Sequence, residues 1–147
     1  MNRLLTLVVF AALTTMLPAQ TSAPPAPAVP LSSAVFDWEK LPVMPNPKGV
    51  RRDVFDGPTA TLDKAHCHIT TLNPGENSGE PRKHLQEEVI IIKEGLVEAT
   101  FDGKSQTIGP GSVIFFAANA VTRLRNAGTT PATYIVFYYY TPLTPKS

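Results

Sequence analysis

The chain has 147 residues, 43% of them hydrophobic and 17% charged, with 15 prolines, nine glycines and one cysteine. That length supports one compact core and leaves two independent cores marginal. Thirteen basic against 12 acidic residues give no excess to neutralise a phosphate backbone, so no nucleic-acid partner is expected, and the lone Cys67 can build neither an internal disulfide nor a four-cysteine metal site.

Residues 1–20, MNRLLTLVVFAALTTMLPAQ, begin with a positive charge at Arg3, continue as an uncharged apolar run and end on small residues around Ala19. This is the pattern of a secretory signal peptide. A membrane anchor is the competing reading, but the run falls short of the roughly 20 residues a spanning helix needs, and Pro18 closes it. A secreted or periplasmic protein with no stable membrane anchor after cleavage is expected. Residues 21–33 start as TSAPPAPAVP, whose prolines make a semi-rigid, extended linker.

Residues 34–58 hold short apolar patches broken by Pro45 and Pro47 and are expected to form an arm or strands laid along the domain. Beyond Arg51 turn signals recur at Asp56-Gly57-Pro58, Asn73-Pro74-Gly75, Asp102-Gly103, Gly109-Pro110-Gly111 and Asn126-Ala127-Gly128. They separate runs of β-branched and aromatic residues such as 89–92, 113–116 and 134–140. With no helical period after residue 30, the fold class is all-β. About eight runs and a two-residue Asp102-Gly103 hairpin predict a closed barrel or jelly roll over residues 59–141, with residues 142–147 as a tail.

Residues 74–95, PGENSGEPRKHLQEEVIIIKEG, place titratable side chains at alternate positions before a run of Val and Ile. In a strand Arg82, His84, Gln86 and Glu88 share one face and Lys83, Leu85 and Glu87 the other. Facing a barrel interior, that set suits a divalent metal or an acid–base pair; facing outward, it is a solvated sheet surface. Periodicity leaves both open. Arg123 and Arg125 read as outward members of a half-exposed strand. The aromatic run 134–140 has two apolar faces, one for the core and one for a subunit interface.

Gly75, His84-x3-Glu88-x6-Gly95 and Gly111-x5-Ala117-x-Asn119-x2-Thr122-x3-Asn126 resemble the two signature motifs of the cupin superfamily, G-x5-HxH-x3,4-E-x6-G and G-x5-PxG-x2-H-x3-N. The resemblance implies a single jelly-roll (double-stranded β-helix) barrel, commonly a homodimer. It also implies a metal site of two histidines and a glutamate from the first motif and a histidine from the second. Those four positions are Arg82, His84, Glu88 and Thr122 here, so two of the four ligands are kept.

A guanidinium has no lone pair for a metal, but it can balance a buried Glu88 and bind a carboxylate or phosphate. The expected function is therefore an exported single-domain cupin with a degenerate metal site that binds a small, anionic molecule through Arg82, with His84, Gln86, Glu88 and Thr122 around it; whether a divalent metal is its cofactor stays open. The alternative is a metal-dependent, oxygenase- or isomerase-like enzyme. There His68 of the His66-Cys67-His68 run joins His84 and Glu88 to hold Mn, Fe or Zn. A purely structural polar cluster is the third reading. Cys67, opposite the two histidines, is expected to be a buried small hydrophobe.

Overall fold

The computed structural model of the protein describes residues 28–145, so the signal-like segment 1–20 and the first part of the linker lie outside the described residues. Ten strands follow one another: β1 Met44–Asn46, β2 Gly49–Gly57, β3 Lys64–Leu72, β4 Arg82–Lys83, β5 Glu87–Glu94, β6 Val97–Phe101, β7 Lys104–Ile108, β8 Val113–Phe116, β9 Val121–Asn126 and β10 Ala132–Tyr140. They form a six-stranded sheet ordered β1-β2-β3-β10-β5-β8 and a four-stranded sheet ordered β4-β9-β6-β7. Every pairing between these strands is antiparallel. Two facing antiparallel sheets are the jelly roll expected from the turn spacing.

Alternation along each strand decides what lies inside. On β5, Glu88, Ile90 and Ile92 are buried while Val89 and Ile91 are only half-buried. Ile90 and Ile92 meet Ile114 and Phe116 of β8 and Tyr134 and Val136 of β10, and the opposite layer supplies Val97, Ala99 and Leu124. Removal of solvent from branched side chains of this size stabilises the fold by about 1.5–3 kcal/mol each. Glu88 therefore sits on the same face as the core isoleucines, and its position in the strand obliges it to point inward.

The turns also follow from residue type. Asp102 and Gly103 take φ of 46° and 78°, the positive pair that a two-residue hairpin between β6 and β7 requires. Gly95, at φ 76°, joins β5 to β6 where an added Cβ would lie 2.7 Å from the Ala132 backbone. Asn126 is fully buried; its amide donates to the Leu72 and Thr130 carbonyls at 2.9 and 2.8 Å and accepts from the Gly128 N–H at 2.9 Å. It ties the end of β9 to β3 and to the loop entering β10.

The N-terminal arm runs outside the six-stranded sheet. Leu31 N–H donates to the Pro58 carbonyl at 2.8 Å, and Phe36 packs on Phe55 with ring centroids 5.8 Å apart. Trp38, in a single 3₁₀ turn at Trp38–Lys40, lies between Arg52 of β2 and Lys93 of β5, at 4.9 and 4.6 Å from its ring centroid. β2 pairs with β3 over nearly its whole length, so the sheet extends on the N-terminal side of the expected boundary at residue 59.

Candidate functional site

The two sheets enclose a cavity of about 460 Å³. Its apolar floor includes Leu72, Ile90, Phe116, Leu124 and Val136. A polar wall rises on one side from Arg82, His84, Gln86, Glu88 and Thr122, so all five residues expected at the ligand site reach the same space. They come together although they do not form one strand. β4 belongs to the four-stranded sheet and pairs Arg82 with Thr122, whereas Glu88 belongs to β5 of the six-stranded sheet. Residues 84–86 carry the chain across from one sheet to the other.

His84 is fixed at that crossing from behind. Asn119 N–H donates to the His84 carbonyl at 2.7 Å, in a turn where Asn119 adopts φ 64°. Asparagine tolerates the left-handed region better than other residues with a Cβ, so it can serve where the family motif has glycine. In front, the Arg82 Nε–H donates to His84 Nε2 at 3.1 Å. A guanidinium only donates, so His84 Nε2 is the acceptor of that bond. His84 Nδ1 lies 3.4 Å from both Glu88 Oε1 and the Gln86 amide nitrogen, and the same amide nitrogen is 3.4 Å from Glu88 Oε1.

Burial pushes the Glu88 carboxyl above its ordinary value, against the lowering influence of His84, Arg82, the Gln86 hydrogen bond and His66. Desolvation disfavours the anion, and the neighbouring positive charge and donors recover part of the difference. Arg82 itself is exposed at the cavity mouth, leaving its remaining donors free for a ligand.

The opposite wall is built on β2, β3 and β10. Arg51 pairs with Thr70, and Thr70 with Tyr134, so all three project to the inner face. Arg51 is held by Asp53, Nε to Oδ1 at 2.7 Å, and its NH2 donates to His66 Nε2 at 3.3 Å. His66 is buried, bonded through Nδ1 to Asp56 Oδ1 at 2.8 Å and stacked on Tyr138 at 4.3 Å between centroids. His68 lines the cavity, with Nδ1 3.0 Å from His66 Nε2. Burial and the adjacent Arg51 and His66 lower its pKa to about 3, so the ring is neutral at ordinary pH.

Lys48 and Arg51 line the cavity with Arg82, and the first two are functional candidates that the sequence reading did not single out. The signal was present in the period of two. Arg51 and Asp53 share a face with His66 and His68 once β2 is paired beside β3. Arg123 and Arg125 are half-buried between buried Thr122, Leu124 and Asn126; Arg125 reaches Glu98 at 3.4 Å, whereas Arg123, expected to face outward, also lines the cavity. Cys67 is 2% exposed on the other face of β3, and burial raises its thiol pKa to about 11, an inert buried side chain.

The donor set does not fit the family's metal. The Arg82 guanidinium takes the lone pair of His84 Nε2, and Thr122 stands at the fourth ligand position. Among the described residues no three His, Cys, Asp or Glu side chains gather into a group able to hold a metal ion; the alternative set of His68, His84 and Glu88 is not brought together in this way.

A small antiparallel jelly roll with a polar pocket between its sheets defines the class of compact β-barrel domains. The Cupin_2 family, described as a cupin domain, matches residues 68–138, and the chain belongs to the cupin superfamily. Among solved structures it is similar to an RmlC-like cupin from Shewanella frigidimarina, at 15% identity and TM-score 0.62, covering 76% of this chain and 95% of that one. It is also similar to a sugar phosphate isomerase of the cupin superfamily from Silicibacter pomeroyi, at 20% identity and TM-score 0.59, covering 74% and 77%. A third is the polyketide cyclase RemF from Streptomyces resistomycificus, at 15% identity and TM-score 0.61, covering 76% and 82%. At these identities the likeness concerns the fold. No curated protein matches the chain.

Proposed function

We infer that this cupin binds a small anionic molecule in its cavity, with Arg82 as the anchoring charge and His84, Gln86, Glu88 and Thr122 as its frame. The observation that carries the reading is the Arg82–His84–Glu88 chain at the cavity wall. A guanidinium stands where the family pattern has a metal ligand, and the cation supplied to the cavity is fixed in the polypeptide. Lys48 and Arg51 add positive charge around the same space, against the carboxylates of Glu80 and Glu88. A carboxylate or phosphate oxygen at the mouth of the cavity would receive charge-assisted hydrogen bonds from the free donors of Arg82.

Calorimetric titration with inorganic phosphate and with hexanoate tests this. The expected result is binding of at least one anion, weakened about tenfold or more in Arg82→Ala, in line with loss of a charge-assisted hydrogen bond. Undiminished affinity in Arg82→Ala would remove the reading. Two further proposals accompany it. Residues 1–20 direct export to the periplasm or medium, and two copies pair across the outer face of β10, β5 and β8, where Val113 and Phe115 are 65% and 61% exposed.

A further inference from the structure

The wall opposite Arg82 carries a second recognition element, and the direction of its hydrogen bonds fixes what it can bind. Partial desolvation of Asp56 is outweighed by the hydrogen bonds from Lys64 and His66, which hold its carboxyl below the usual range, and it accepts from His66 Nδ1–H at 2.8 Å. Arg51 NH2 approaches the other nitrogen of His66 at 3.3 Å and can only donate. With His66 in its neutral form its unprotonated Nε2 faces both Arg51 and His68, and the His68 Nδ1 at 3.0 Å is then the donor between the two rings. A neutral imidazole carries one proton, so His68 Nε2 is left with a lone pair. That nitrogen has no hydrogen-bond partner among the described residues, although His68 lines the cavity. The tautomer thus follows from the donors around it, with Asp56 and His66 as positioning residues behind His68.

We propose that His68 Nε2 is a fixed acceptor for a hydroxyl group of the ligand, and that the ligand class is a small hydroxylated carboxylic acid. The inference rests on the anion reading above and adds to it the second half of the recognition. One wall offers guanidinium donors for the acid, and the other offers an obligate acceptor beside Arg51 for a hydroxyl. Thr70 and Tyr134, on the same inner face, extend the polar lining on the His68 side. An aliphatic acid satisfies the first wall and leaves the His68 lone pair without a partner. A polyhydroxy acid satisfies both. A cavity of about 460 Å³ is large enough for a ligand of this size.

The test has two arms. Nitrogen NMR of the ligand-free, uniformly labelled protein should show His68 Nε2 as an unprotonated, pyridine-type nitrogen and Nδ1 as the protonated one. The reverse assignment would overturn the proposal without any ligand. In the second arm, gluconate and hexanoate are titrated into the wild type, His68→Phe, His68→Gln and Arg82→Ala. Gluconate should bind the wild type about tenfold more tightly than hexanoate, the value of one satisfied buried hydrogen bond. His68→Phe should abolish that preference with hexanoate affinity kept, and His68→Gln, which restores an acceptor, should return part of it. Arg82→Ala should weaken both acids alike. A gluconate preference that survives in His68→Phe contradicts the role of His68. Failure of both acids to bind the wild type contradicts the anion reading instead, and the nitrogen assignment still decides the tautomer.

Discussion

Glu88 shows most directly how one position in a strand sets chemistry. It occupies an inward step of β5, continuous with Ile90 and Ile92, and is 8% exposed. Burial raises its folded-state pKa above the ordinary 4.5, with His84 and Arg82 opposing. A carboxyl whose pKa is raised by folding binds its proton more tightly in the native state. Its contribution to stability is thus complete below pH 4.5 and is lost as pH rises through the folded value. Glu88→Gln is expected to flatten that part of the stability–pH curve, measured by urea denaturation across the acidic range. An unchanged slope in the variant would mean that Glu88 is not the group responsible. Alternation put Arg82, His84 and Glu88 on one face but left open whether that face looks inward, and the three are split between β4, a crossing segment and β5. The direction of the hydrogen bonds between them was not legible, because it depends on side chains meeting across a turn that links two sheets.

Among the elements, the tight connections are the parts that local sequence specifies best. Asp102-Gly103 was readable as a hairpin because asparagine, aspartate and glycine accept positive φ, and both residues adopt it. Gly95 and Gly103 have almost the same φ, 76° and 78°, but different surroundings. A Cβ at Gly103 meets nothing within 4 Å, whereas one at Gly95 would lie 2.7–2.8 Å from Ala132 and the Pro131 carbonyl. Gly103→Ala is therefore expected to cost only the backbone term, about 1 kcal/mol. Gly95→Ala adds overpacking against main chain and is expected to cost about 3 kcal/mol or more. Chemical denaturation of both variants checks the contrast; equal losses would show that sterics at Gly95 are relieved by movement of the β10 entry. The elements that sequence did not reveal are the shortest, β1 with Pro45 in its centre and β4 with two residues. Runs of two or three residues carry no periodicity, and these strands exist because longer neighbours offer them hydrogen bonds. The inward face of β2 escaped for a related reason. Arg51 and Asp53 line up with Thr70 and His68 only once β3 is set beside β2.

For the whole molecule, two features follow from the arrangement of sheets. The outer face of the six-stranded sheet is covered by the arm near Trp38 but open at β8, where Val113 and Phe115 continue the half-buried row of Val89, Ile91, Ile135 and Phe137. If two copies pair there as proposed, light scattering should give a dimer for the wild type and a monomer for Phe115→Glu, since a charge at the centre of an apolar interface is left without a partner. A wild-type monomer would remove that proposal. The fold as a whole was legible from turn spacing and motif pattern together, and Gly75, Gly95, Gly111 and Asn126 show why. They are backbone and anchoring positions that the barrel needs whatever it binds.

The proposed function has Arg82 standing in for a metal cation, and elemental analysis tests that most directly. The protein is purified without a metal-binding tag or chelator after supply of Mn, Fe and Zn, and its metal content is compared with that of His84→Ala. The expected result is metal far below one ion per chain in both, because the Arg82 donor occupies the His84 nitrogen that a metal would need. Near-stoichiometric metal in the wild type, lost in His84→Ala, would contradict the account and establish His84, Glu88 and a further ligand such as His68 as a metal site.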